Sequence, residues 1–132
     1  MTPEQLTAVM PFSHAVGVVI ESATAEEVTA HLDWAEERTT MGGALHGGAF
    51  MTLADSAGAV CAFLNLPQGA STTTTSSTTN LIRGVREGTV HARSRPLSAG
   101  KTVIVIQTDL TDDQGRLCAQ TTQTQAVLAP RS

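Results

Sequence analysis

LHGGAFMTLADSAGAVCAFL, residues Leu45–Leu64, reads as a helix that is apolar on nearly every side, with one acid in its middle. Around Asp55 stand Phe50, Met51, Leu53, Ala54, Ala57, Ala59, Val60, Cys61, Ala62 and Phe63. A helix apolar all round is expected to be buried, and an aspartate is almost never fully buried unless it is paired or used. Asp55 is therefore the leading candidate for chemistry. The competing reading makes it a structural acid satisfied by neighbouring hydroxyls such as Thr52 or Ser56.

The start of the helix, His46-Gly47-Gly48, offers a second group. The first N–H groups of a helix lack intrahelical partners and sit at its positive end. Glycine lets a ligand oxygen approach that backbone closely, as an oxyanion hole requires. The competing reading is a tight turn that needs small residues for packing. Asp55 follows Gly47 by eight residues, about 12 Å along a helix, whereas a catalytic carboxylate and an oxyanion donor must converge on one carbon. If both are used, they come from different subunits, so the spacing predicts a two-fold homodimer with two shared sites.

Outward from the helix, residues 3–10 predict a short helix with Thr2 as N-cap and Pro3 in first position. Phe12 to Gly17 reads as a compact turn. Gly17–Ala23 and Glu27–Trp34 read as strands joined at Thr24-Ala25-Glu26. Glu36–Gly43 is a loop, and Pro67-Gln68-Gly69 closes the long helix. Four strands are expected after it: the Ser/Thr tract Ser71–Leu81, then Thr89–Pro96, Thr102–Leu110 and Arg116–Leu128. Turns at Arg86–Gly88, Ser98–Gly100 and Asp112–Gly115 suggest an antiparallel meander. A linker is the alternative for Ser71–Thr79, but the tract lacks proline and threonine suits a pleated strand. The fold class is thus α+β, a curled antiparallel sheet wrapped around one long helix.

With 132 residues, 41% of them hydrophobic and 15% charged, the chain is expected to form one domain over 1–132 with a core spanning about 12–128. A net charge of −4, one Trp and no Tyr argue against a nucleic-acid partner. Cys61 and Cys118 show no metal spacing, so we expect no metal and two buried free thiols in a reducing compartment. The first residues lack the basic and long apolar regions of a signal peptide. A membrane span over Gly47–Leu66 would place Asp55 at mid-bilayer, at a cost of roughly 2.5–3.5 kcal/mol. The expectation is a cytoplasmic protein without a membrane partner. Gly100-Lys101-Thr102 is not a phosphate-binding loop of the nucleotide-hydrolysing kind, because Arg95 stands where its first glycine belongs. Lys101 with Arg83, Arg93 and Arg95 is still able to meet phosphates of a long substrate, against the plainer reading of solvated surface charge.

Leu45–Ala59, followed by Asn80-Leu-Ile-Arg83, Gly100-Lys-Thr-Val103 and Asp109-Leu…Gly115-Arg-Leu-Cys-Ala-Gln120, resembles the hotdog-fold acyl-CoA thioesterases, specifically the phenylacetate-degradation (PaaI-type) and 4-hydroxybenzoyl-CoA thioesterase group. The likeness covers roughly residues 12–128. It implies that Asp55 is the base or nucleophile toward a thioester carbonyl, that the Gly47 N–H holds the oxyanion, and that Thr74 or its neighbour Thr73 orients water. It implies further that Gly100, Lys101 and Thr102 lie where relatives contact the CoA arm, and we expect Thr40, His46, Gly48, Thr73 and Arg83 to line the substrate as well. No cofactor is implied, because CoA is part of the acyl-CoA substrate. Relatives are commonly dimers of dimers. Where they often carry Asn or Gln six residues before the histidine, this chain has Thr40, a shorter group with a different reach. That departure keeps open a non-hydrolytic acyl-CoA binding or sensing protein. A dehydratase ranks last, for want of a His/Asp or His/Glu pair.

Overall fold

The computed structural model describes residues 1–130. Helix α1 (Pro3–Ala8) starts as expected: the Thr2 hydroxyl accepts the Gln5 N–H and the Gln5 side chain accepts the Thr2 N–H. This reciprocal cap satisfies two otherwise orphaned donors. The segment expected to be a turn at Phe12–Gly17 is instead a short helix, α2 (Pro11–Val16). Pro11 in its first turn and left-handed Gly17 at its end bracket it, a pairing that favours one helical turn over an open loop. Ser13 on α2 is hydrogen-bonded to Ser56 of the long helix at 2.7 Å.

Strands β1 (Val19–Ala23) and β2 (Val28–Asp33) follow, then a single 3-10 turn at Glu36–Arg38, and then helix α3 (Gly47–Phe63). Next come β3 (Ser71–Leu81), β4 (Thr89–Ala99), β5 (Val103–Thr111) and β6 (Leu117–Leu128). All six strands form one antiparallel sheet in the order β1-β2-β4-β5-β6-β3. With α3 packed on it, this is the hotdog arrangement that the resemblance implied.

Two expectations need correction here. The last four strands are not a simple meander: β4, β5 and β6 are consecutive neighbours, but β3 pairs with β6 at the sheet edge and β4 pairs with β2. Side-chain chemistry explains the placement. β3 is almost entirely Ser and Thr and has little apolar area to bury, whereas Val90, Ala92, Ile104, Ile106 and Leu110 of β4 and β5 are core residues. The strands that gain most from burial take the centre. Helix α3 spans the sheet between β2 and the far edge strand.

The second correction concerns α3 itself, which one chain does not wrap completely. Leu53, Ala54, Ala57, Cys61 and Ala62 are fully buried against the sheet. Met51 (47% exposed), Asp55 and Phe63 (46% exposed) form a stripe, recurring every turn or two, that the sheet does not cover. Asp55 is an exposed acid of the isolated chain, not a buried one.

Candidate active site

The start of α3 separates its two glycines chemically. His46 is the N-cap, and its Nδ1 accepts the Gly48 N–H at 2.8 Å. That bond requires Nδ1 to be unprotonated and occupies Gly48 inside the helix cap. The His46 carbonyl accepts from Ala49 and Phe50. Among the described residues, the Gly47 N–H has no hydrogen-bond acceptor. It opens into a cleft of about 300 Å³ lined by Thr40, Leu45, Gly47, Phe50, Leu81, Ile82, Arg83 and Gly84. Three of the residues picked out from sequence, Thr40, Gly47 and Arg83, therefore share one cleft. His46 and Gly48 face another cleft of about 500 Å³, with Phe12, Val16, Arg38 and Thr52 on its walls.

Two turns further along α3, Asp55 reaches across to the strands. Its Oδ1 accepts the Thr74 hydroxyl at 3.1 Å and the Gln123 amide at 3.3 Å. Thr74 in turn accepts from Gln125 Nε2 at 2.6 Å, and Gln125 Oε1 lies 3.0 Å from the Thr72 hydroxyl. Among the described residues no hydrogen bond reaches Asp55 Oδ2. Thr52 and Ser56 do not serve Asp55, because their hydroxyls bond back to the carbonyls of Gly48 and Thr52 within the helix. Thr73 lies on the other face of β3 and is exposed, so Thr74 is the hydroxyl that meets the acid.

A bulge explains how a polar edge strand supplies that hydroxyl. Thr74 lies directly opposite Gln125, the next paired residue is Ser76 opposite Thr124, and Thr75 is the extra residue between them. Side chains alternate along a strand, so Thr72 and Thr74 face the helix before the bulge, and Ser77 and Thr79 do so after it. Bulges of this kind concentrate beside functional sites.

Gln123 and Gln125, each 1% exposed, escape a reading of the sequence. The run Gln120-Thr-Thr-Gln-Thr-Gln125 is polar on both faces, so no contrast marks which amides turn inward. Gln123 lies directly on Gly58, one turn beyond Asp55; a Cβ there would come within 1.9 Å of Gln123 Oε1. Among the described residues, that buried oxygen has no hydrogen-bond partner.

The remaining residues fall into two places. The Gly100–Thr102 turn joins β4 to β5, and Val103 lies level with Ala126, which is itself opposite Thr73. Lys101 and Thr102 thus share the sheet end on which Thr73 and Thr74 lie, apart from the Gly47 cleft. Gly100 has a structural reason of its own, since a Cβ would stand 2.9 Å from the Val103 carbonyl. The two thiols are free and buried, and burial pushes Cys61 up to about 11, which leaves it inert as a nucleophile. Among the described residues, no group of three or more His, Cys, Asp or Glu side chains is arranged to hold a metal ion, and no helix is long and apolar enough to cross a membrane.

Residues 42–119 match the thioesterase superfamily. The chain is 36% identical over 86 residues to the 1,4-dihydroxy-2-naphthoyl-CoA hydrolase of Escherichia coli, a match that covers 65% of this chain and 63% of that protein. It therefore spans just under two thirds of that relative's length. In three dimensions it is similar to a mutant thioesterase from Pseudomonas aeruginosa, with a TM-score of 0.91, 28% identity and coverage of 97% of this chain and 94% of that one. A thioesterase from Haemophilus influenzae gives a TM-score of 0.91 at 27% identity, covering 100% of this chain and 94% of that one.

Proposed function

The chain belongs to the thioesterase superfamily, and on that premise we propose that it hydrolyses acyl-CoA thioesters carrying a short, medium or aromatic acyl group, at sites shared between two copies of the chain. The observation that carries this reading is the separation of two half-sites. An unengaged helix-terminal N–H at Gly47 opens into one cleft, and a carboxylate with one free oxygen at Asp55 lies two turns away. Eight residues of helix amount to about 12 Å, too far for both to serve one carbon from one chain. The exposed stripe Met51–Asp55–Phe63 and the outer edge of β3 offer the surfaces by which a second copy brings its Asp55 to this Gly47. The assembly is a homodimer, or a dimer of dimers, and two buried free thiols suit a cytoplasmic location.

In the reaction, Asp55 Oδ2 takes a proton from water as the water oxygen bonds to the thioester carbon. The carbonyl electrons move to oxygen, where the Gly47 N–H of the other copy stabilises them. Thr74 orients the water. Collapse breaks the carbon–sulfur bond, and the proton held by Asp55 passes to the departing CoA thiolate. Thr40 stands in the same cleft as Gly47. Arg83 lies there too, and Lys101 and Thr102 lie at the other sheet end; we assign them to the phosphates of the CoA arm, on their charge and hydrogen-bonding capacity.

Subunit complementation tests this. Asp55→Asn removes the base, and Gly47→Pro removes the N–H at a helix position that tolerates proline. Each alone should lower kcat about 10²–10³-fold on an acyl-CoA panel. Refolded as an equal mixture, half the dimers are hybrids with one intact site, so about a quarter of wild-type activity should return. Full activity in Asp55→Asn, or no recovery on mixing, would refute the shared site. Tight acyl-CoA binding without turnover in the wild type would select the non-hydrolytic binding protein instead.

A further inference from the structure

We propose that Gln125 is a positioning residue that leaves the Thr74 hydroxyl a single open lone pair for the attacking water; this rests on the reading of Asp55 and Thr74 as hydrolytic groups. A threonine hydroxyl has one proton and two lone pairs. The Asp55 carboxylate only accepts, so the 3.1 Å contact between Thr74 Oγ1 and Asp55 Oδ1 consumes the Thr74 proton. An amide N–H only donates, so the 2.6 Å contact from Gln125 Nε2 occupies one Thr74 lone pair. One lone pair is left. A water that gives one proton to Asp55 Oδ2 and the other to this remaining lone pair keeps its own lone pair for the thioester carbon.

Without the Gln125 donor, Asp55 still holds the Thr74 proton, but two Thr74 lone pairs stand open. A water then has two places to donate its second proton, and only one of them sets its lone pair toward the carbonyl. Gln125 is suited to prevent this. Its side chain is 1% exposed, and because the Thr74 proton goes to Asp55, only the donor end of the amide can meet Thr74; its Oε1 shares the Thr72 hydroxyl proton with the Ala126 carbonyl, at 3.0 and 2.8 Å. Its register is fixed as well. Thr74 is the last residue of β3 in phase with Gln125 before the bulge at Thr75. Gln123 plays a different part, because its amide reaches Asp55 directly at the longer distance of 3.3 Å.

The test is a double-mutant cycle on steady-state hydrolysis of the acyl-CoA panel, using wild type, Thr74→Ala, Gln125→Met and the double variant. Met keeps the volume and removes the donor. Gln125→Leu, also without a donor but of different shape, runs in parallel, so that misfolding of one variant leaves the other to decide. Gln125→Met should lower kcat about five- to tenfold with KM within about twofold, the size of one lost hydrogen bond. On the Thr74→Ala background the same change should cost nothing further, because the group it acts through is gone. An equal loss on both backgrounds would mark a packing role and overturn the proposal. So would full activity in Gln125→Met when Asp55→Asn is inactive, which leaves the functional reading intact. Full activity in Asp55→Asn overturns both.

Discussion

Replacing Gly58 by alanine should destabilise this protein, although the position is in mid-helix, where alanine normally helps. The intrinsic gain is about 1 kcal/mol. Against it stands Gln123: the new methyl would lie 1.9 Å from its Oε1, 2.6 Å from its Cδ and 3.1 Å from its Nε2. A flexible amide often moves aside at little cost, but Gln123 is 1% exposed and has no solvent to swing into. Overpacking of this kind costs about 1–3 kcal/mol, and displacing the amide removes its hydrogen bond to Asp55, about 1 kcal/mol more. The net expectation is a loss of about 2 kcal/mol, obtained from these ranges. At roughly 4 °C per kcal/mol for a chain of this length, Tm should fall by roughly 8 °C. Thermal unfolding read by circular dichroism, at one protomer concentration so that association does not intrude, measures this. Gln123→Ala removes the obstacle, so Gly58→Ala added to that background should raise Tm, by roughly 4 °C for the recovered propensity. A Tm for Gly58→Ala equal to or above wild type would refute the argument, because it would mean that Gln123 yields freely.

Two further outcomes follow from the charges and thiols. Partial burial pushes the Asp112 carboxyl up, but the Arg116 N–H, the Arg116 guanidinium and the Gln114 N–H outweigh this and hold it below its ordinary 3.8. A folded-state value lower than the unfolded one adds stability above the unfolded value, and that stability is lost as pH falls through the folded one. Asp112→Asn should therefore unfold at lower temperature than wild type at neutral pH, with the gap closing below about pH 4; a pH-independent gap would contradict this. Cys61, pushed up to about 11 by burial, and Cys118, also raised chiefly by burial, should react with a thiol reagent at pH 8 only slowly until urea unfolds the chain. Rapid labelling of both thiols in the folded protein would show that they are accessible.

The helix start, the acid and the glycines were legible because each breaks a local pattern. Asp55 interrupts an apolar run, and His46-Gly47-Gly48 interrupts the approach to it. The capped first helix and the strand positions were legible for the same reason, since caps, turns and alternation are local. The short helix α2 was missed because six residues between Pro11 and Gly17 carry too little periodicity to separate a helical turn from a loop. Gln123 and Gln125 were missed because β6 is polar on both faces, and only its pairing with β3 shows which amides face the helix.

By itself, the sequence determined the elements apart from α2 and singled out Asp55 and the His46-Gly47-Gly48 entry, since propensity, capping and residue chemistry act over a few positions. The distance from Gly47 to Asp55 was also contained in it, because a helix has a fixed rise per residue. Tertiary structure decided the rest. It put the Ser/Thr strand at the sheet edge, left the Asp55 stripe of α3 uncovered, and used a one-residue bulge to set Thr74 against Gln125 and Asp55. It also engaged Gly48 with His46 while leaving Gly47 open to the cleft. The physical reason is that pairing partners and solvent exposure depend on contacts between segments far apart in the chain, and no local rule carries that information.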